Sequence, residues 1–252
     1  YEKNNLYLFL RSKFGAEETL RLMKDYRVGT SKHWPGSCVF WQTDINGSIR
    51  TGKVMLYDAE TGKRVKEPFN HVTWVHSLLR LPDFNLRQCF FGEHLLPMNR
   101  GKPVAIVESE KTSLVGAYYL PEYVWLATGG KNGCFNTDAL HVLRGRQVIL
   151  YPDIGATDQW RQKLNLLRSL DIEASIFNYL EEVATDNERT AGLDIADYLL
   201  QIEPDQAVLQ TMIRKNPMLQ KLIDDLQLTL VSVERYTPDT DAINKTSTPS
   251  KQ

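Results

Sequence analysis

Cysteine is scarce in this chain: Cys38, Cys89 and Cys134 are the three thiols in 252 residues. No two of them stand at the close spacing that a zinc knuckle needs, so no structural zinc is expected, and two of the three lie in apolar strings and read as buried thiols. Long apolar runs are also missing. Nothing approaches the ~20 residues of a membrane-spanning helix, and the start lacks a charged-then-apolar leader pattern. The expectation is a cytoplasmic protein with no membrane partner. The first residue is Tyr1 rather than Met, which leads us to expect a segment of a longer chain. Charge of one sign is lacking too, with 30 Lys and Arg against 31 Asp and Glu for a net charge of −1. Proteins that grip nucleic acid broadly draw on a basic face, so any such grip here is expected to use a focused groove, to be weak, or to need help from a further domain. The five histidines show no metal-ligand spacing.

What is present is ordinary for a globular chain, with 42% hydrophobic and 24% charged residues. Residues 5–26 read as two helices broken at Gly15, with Leu6, Phe9 and Leu10 at helical spacing. Residues 37–70 read as a small antiparallel sheet around the turn Asn46-Gly47, with a further turn at Glu60-Thr-Gly62. A boundary is expected near 97–103. Beyond it, strand candidates at 104–107, 123–127, 147–151 and 173–177 alternate with helix candidates at 111–119 and 156–170. This alternation predicts a mostly parallel sheet flanked by helices, an α/β fold, preceded by a smaller α+β subdomain. Helices are expected at 192–201, 204–214 and 217–226, and a last strand at 227–236. A disordered tail is expected at 237–252. The domain reading is 1–100, 101–202, a helical extension over 203–236, and the tail.

Two apolar runs end in carboxylates: Val104-Ala-Ile-Val-Glu108 and Val148-Ile-Leu-Tyr-Pro-Asp153. A carboxylate at the carboxyl end of a parallel strand sits where open α/β sheets place ligands, and a pair can hold a divalent cation. Glu108 either caps the following helix or faces such a ligand. Glu110 is expected to be solvated or part of the cap. Asp153 precedes Gly155 in a tight turn, which packing alone explains poorly. Asp158 lies in a first helical turn, favoured there by the helix dipole or turned inward as a ligand. Asp194 and Asp197 form a further acidic pair, with N-capping by Asp194 as the structural alternative. The loop Thr128-Gly-Gly130-Lys131 lets backbone approach a phosphate that Lys131 would neutralise. Arg50, Lys53, Lys63, Arg64 and Lys66, near Trp41 and Tyr57, suit a nucleic-acid track or simply a solvated sheet face.

Four segments in order, Val107-Glu-Ser-Glu-Lys-Thr112, Ala127-Thr-Gly-Gly-Lys131, Gly145-Arg-Gln-Val-Ile-Leu-Tyr-Pro-Asp153 and Asp194-Ile-Ala-Asp-Tyr-Leu199, resemble the toprim domain of bacterial and phage primases and primase-helicases. The resemblance covers roughly residues 101–202. The whole chain is also similar to a primase-like family of mobile elements in gut bacteria. The resemblance implies a Mg²⁺ or Mn²⁺ site, two-metal when active, with Glu108 as acid/base and ligand, Asp153 as the first aspartate of the metal pair, and Asp194 or Asp197 as the trailing acidic ligand. It implies nucleotide or nucleic-acid contacts from Lys53, Arg50, Lys63, Arg64, Lys111, Gly129, Gly130 and Lys131. Implied partners are single-stranded DNA, nucleotides, and a helicase or other replication protein; the implied activity is RNA primer synthesis. Two positions depart from the usual pattern: Ser109 replaces a glycine, and Gly155 replaces the second aspartate of Asp-x-Asp. Losing that carboxylate weakens a cation site unless Asp158 compensates. Two further readings are a catalytically degenerate toprim that only binds, and a topoisomerase-like strand cutter.

Overall fold

The computed structural model describes residues 1–130 and 133–230. Helices α1 (Asn5–Phe14) and α2 (Ala16–Asp25) come first, and the Asn4 side chain caps α1 by accepting from Tyr7 N. Gly15 separates them with φ 80°, a left-handed backbone that glycine adopts without a Cβ clash. Four strands then pair in sequence as an antiparallel sheet: β1 (Val28–Thr30), β2 (Cys38–Thr43), β3 (Ile49–Met55) and β4 (Val72–Trp74). The β2–β3 turn falls at Asn46-Gly47, where the Asp44 carboxylate accepts from Asn46 N and Ser48 N at 2.9 Å each. Trp41 lies opposite Gly52, where a Cβ would come within 2.8 Å of the indole, so that glycine makes room for the ring. The sheet is larger than the expected 37–70 segment, because β1 and β4 add an edge on each side. Helix α3 (Val75–Leu79) follows β4.

The second sheet is built from β5 (Val104–Val107), β6 (Val124–Ala127), β7 (Val148–Leu150) and β8 (Ala174–Ile176), all parallel, in the order β6-β5-β7-β8. All four match the expected strands. Their central members are apolar on both faces because helices cover the sheet, which is why they read as continuous runs. Helices α4 (Glu110–Tyr119), α5 (Thr137–Leu140) and α6 (Thr157–Ser169) lie between them. Trp160, Leu164 and Leu167 of α6 join Ile106, Leu126 and Leu150 in the core. Gly116 of α4 lets Trp125 of β6 lie against the helix; an added Cβ would sit 2.4 Å from the indole.

Three short helices close this unit: α7 (Tyr179–Val183), α8 (Asp186–Ala191) and α9 (Ile195–Leu199). The expected helix over 192–201 is therefore shorter, since Asp194 caps it and Gly192 ends α8 at φ 62°. Residues Tyr1–Ile202 form one compact unit holding both sheets, joined by Tyr26 Oη donating to Trp125 O at 3.1 Å and by the Phe91–Ala127 bridge. A second unit begins at Glu203 and contains α10 (Pro204–Lys215) and α11 (Met218–Leu226), both near their expected positions. In the expected last strand, residues 227–230 form no strand. Residues 231–236 and the tail at 237–252 lie outside the described residues. Among the described residues, no helix is long and apolar enough to cross a membrane.

Candidate active site

From β5 the chain passes through α4 to β6 on one side, then returns to place β7 on the other side of β5. That reversal makes the β5/β7 pair the switch point of the sheet, and a crevice opens outside its carboxyl ends. Glu108 follows the last residue of β5 directly, and Asp153 follows β7 by three positions. Both line a cleft of about 490 Å³ whose other walls come from β3, the loop between β3 and β4, and the cap of α9. The backbone ties these walls together: Ile154 N donates to Leu193 O at 2.9 Å.

One set of residues lining the cleft is acidic. Glu108 accepts from Trp160 Nε1 at 3.1 Å, and Lys163 Nζ lies 3.9 Å over the same indole ring. The Asp153 carboxyl is pushed up to about 8, chiefly by burial, then by the charges of Asp194, Glu108 and Asp197, with Arg64 opposing. Burial and Asp197 also raise Asp194, against the pull of Thr112 and Lys111. Asp194 and Asp197 do form the N-cap: Asp194 Oδ1 accepts from Ala196 N at 2.8 Å, and Asp197 Oδ2 accepts from Asp194 N at 2.9 Å. They line the cleft as well. Thr112, which the sequence reading did not single out, donates its hydroxyl to Asp194 Oδ2.

A second set is basic. Lys63, Arg64 and Lys66 are exposed at the rim, and Lys111 Nζ donates to Gly62 O at 3.2 Å. Lys53 also lines the cleft, but its ammonium is committed inward. It bonds Glu110 at 3.1 and 3.2 Å and Gly129 O at 2.9 Å. Glu110, expected to be solvated or part of the cap, is instead buried in the first turn of α4, because β3 supplies its counter-charge from 57 positions away. Gly129 and Gly130 hold φ of 82° and 132°, and Gly129 N donates to Glu108 O. Lys131 lies outside the described residues.

Two expected residues stand elsewhere. The Asp158 side chain is 93% exposed and pairs with Arg161 at 2.8 Å, so it does not line the cleft or replace the missing carboxylate. An i,i+3 arginine and free solvent hold it outward. Arg50 pairs with Asp44 and lines a separate cavity of about 350 Å³ beside Glu93. At Gly155, the backbone N donates to Glu181 Oε2 at 2.7 Å, and Thr157 Oγ1 donates to the same oxygen. This carboxylate, also absent from the sequence reading, fastens the turn into α6.

Among the described residues, no three Asp, Glu, His or Cys side chains are gathered as a ready-made metal cage. The donor chemistry nevertheless fits a hard cation, since Mg²⁺ is commonly held by one or two carboxylates and completed by substrate phosphates and water. Glu108 and Asp153 supply such a pair, in the same cleft as Lys63, Arg64 and Lys66. The three cysteines are free and buried, and burial pushes each thiol well above its usual range.

Solved structures with a similar course of chain are primase fragments. The primase fragment of the bacteriophage T7 primase-helicase is 16% identical, with a TM-score of 0.42 over 68% of this chain and 69% of that one. The RNA polymerase domain of the Mycobacterium tuberculosis primase, solved with double-stranded DNA, is 12% identical, with a TM-score of 0.44 over 77% of this chain and 62% of that one. The E. coli primase catalytic core is 13% identical, with a TM-score of 0.40 over 81% and 67%. The chain thus spans about two thirds of the length of the structures it resembles. No curated protein matches it. Residues 4–154 match the family described as Domain of unknown function (DUF6371), and the chain belongs to that family.

Proposed function

We propose that the cleft is a divalent-cation-dependent nucleotidyl-transfer site of the primase type. The observation that carries this reading is the pairing of Glu108 and Asp153, at adjacent strand ends of the switch point, with the basic rim of Lys63, Arg64 and Lys66. Glu108 and Asp153 would hold Mg²⁺ or Mn²⁺, which when bound neutralises charge on the transferring phosphates. Lys63, Arg64, Lys66 and Lys111 bind the phosphates of a nucleotide or strand. Glu108, oriented by Trp160, accepts the proton of the attacking hydroxyl. Asp194 and Asp197 set the potential around Asp153 while Asp194 Oδ1 and Asp197 Oδ2 stay engaged in the helix cap. In this reading residues 1–100 guide the strand and residues 101–202 carry the chemistry. The setting is cytoplasmic replication of a mobile element, with a helicase or similar protein as partner.

The test is nucleotide incorporation on single-stranded DNA by the full-length protein. Glu108→Gln and Asp153→Asn should each abolish it; incorporation at the wild-type rate in either variant contradicts the reading. A second reading, a toprim that binds nucleic acid or a replication partner without catalysis, is favoured by Gly155 and by the outward Asp158. It predicts binding that survives chelation in a protein with no incorporation activity.

A further inference from the structure

An aromatic cluster beside the cleft takes no part in the chemistry above. Phe69 stacks on His71 with ring centroids 4.2 Å apart and 24° between planes. Trp34 meets both rings, at 6.3 Å and 5.2 Å, and His33 stands edge-on to Trp34 at 4.4 Å. Phe69 is 53% exposed and Trp34 is half-buried. Phe69 is therefore a surface ring whose position is already held by two neighbouring rings.

Phe69 and His71 ride on a strap that is fastened on either side of them. Gly62 N donates to Asp58 O at 3.0 Å, Tyr57 bridges Arg64, Val65 N donates to Leu56 O at 3.0 Å, and His71 N donates to Val65 O at 3.3 Å. The same strap carries Lys63, Arg64 and Lys66, which line the cleft, and Glu67 is the one acidic residue between positions 61 and 71. Lys32 adds a further positive charge next to His33. In a chain of net charge −1, this is a local concentration of cation and ring surface.

We propose that Trp34 and Phe69, backed by the buried ring of His71, form a stacking platform for bases of single-stranded nucleic acid, whose phosphates follow Lys66, Arg64 and Lys63 into the cleft. The proposal rests on the reading of the cleft as a phosphate site. Aromatic faces combined with a basic track are how proteins hold single strands without reading sequence. Phe69 lies three residues beyond Lys66, at most ~10 Å of extended chain. That distance corresponds to about three stacked nucleotides at ~3.4 Å each, so one strand can touch platform and rim together. The fastened strap keeps the ordering cost of binding small.

The experiment is fluorescence anisotropy of a labelled oligothymidylate of about 12 nucleotides with the full chain, in EDTA at low salt. Phe69→Ser and Trp34→Ala should each weaken binding about tenfold, and Trp34→Phe should retain most of it because a ring remains. Phe69 is exposed, so its variant should melt with the wild type and serves as the control should Trp34→Ala misfold. Unchanged affinity in Phe69→Ser and Trp34→Ala overturns the proposal. So does a wild-type protein that does not bind the oligonucleotide, a result that would give the patch to a protein partner instead. The two readings fail separately: a flat Mn²⁺ titration of the wild type removes the metal site, while the oligonucleotide result in EDTA still decides the platform.

Discussion

The buried pair Lys53–Glu110 joins the antiparallel sheet to the first turn of α4, and its removal has a calculable effect. The side chains are 10% and 2% exposed, with Nζ and Oε2 3.1 Å apart, so solvent screens the interaction little. Lys53→Met leaves the Glu110 carboxylate buried without a counter-charge and also strips Gly129 O of its donor. Stranding one member of such a pair costs about 3–5 kcal/mol. For a unit of roughly 200 residues, each kcal/mol moves the melting temperature by about 2–4 °C, giving a fall of roughly 6–20 °C. The double variant Lys53→Met with Glu110→Leu removes both charges together and should be more stable than Lys53→Met alone, because exchanging a buried pair for apolar groups is often neutral. Urea unfolding followed by tryptophan emission measures both variants. A loss below about 1 kcal/mol for Lys53→Met, or additive losses in the double variant, would show that the pair is not buried and coupled as described.

Two other predictions concern neighbouring groups. Glu93 accepts from Ile45 N and Phe90 N, yet burial raises its carboxyl from 4.5 to about 7. The folded state therefore holds this proton more tightly than the unfolded chain. Its contribution is complete below pH ~4.5 and is lost as pH rises through about 7, a change of at most about 3 kcal/mol. Thermal melts between pH 4.5 and 8 should show Glu93→Gln losing less stability with rising pH than the wild type; parallel profiles would contradict this. Trp160→Phe keeps the ring in the core but removes the 3.1 Å donor to Glu108. A hydrogen bond to a charged group contributes about 1.5–3 kcal/mol. The variant should therefore show a lowered urea midpoint and weaker Mn²⁺ binding; wild-type values of both would deny Trp160 its positioning role.

Much of this architecture is legible in the chain. Strands β5 and β7 announce themselves because both faces are covered, and their carboxylate ends mark the switch point before any topology is known. Edge strands β1 and β4 escape because three residues each, Val-Gly-Thr and Val-Thr-Trp, carry no readable alternation. Helix α8 hides for a similar reason, although Thr185 and Glu188 spell a capping box that can be recognised from sequence. Glu110 is misjudged because its partner is far away in sequence, and only the packing of β3 against α4 brings Lys53 to it. Asp158 goes the other way: Arg161 at i+3 already offers it a solvent-facing partner. Asp194 and Asp197 show that capping and lining a cleft are not exclusive roles.

The central claim is that Glu108 and Asp153 form a working cation site, and calorimetric titration tests it most directly. Mn²⁺ and Mg²⁺ would be titrated into the wild-type chain and into Asp153→Asn. The account predicts saturable binding to the wild type that the substitution abolishes. Heat that is absent from both proteins, or identical in both, would contradict it.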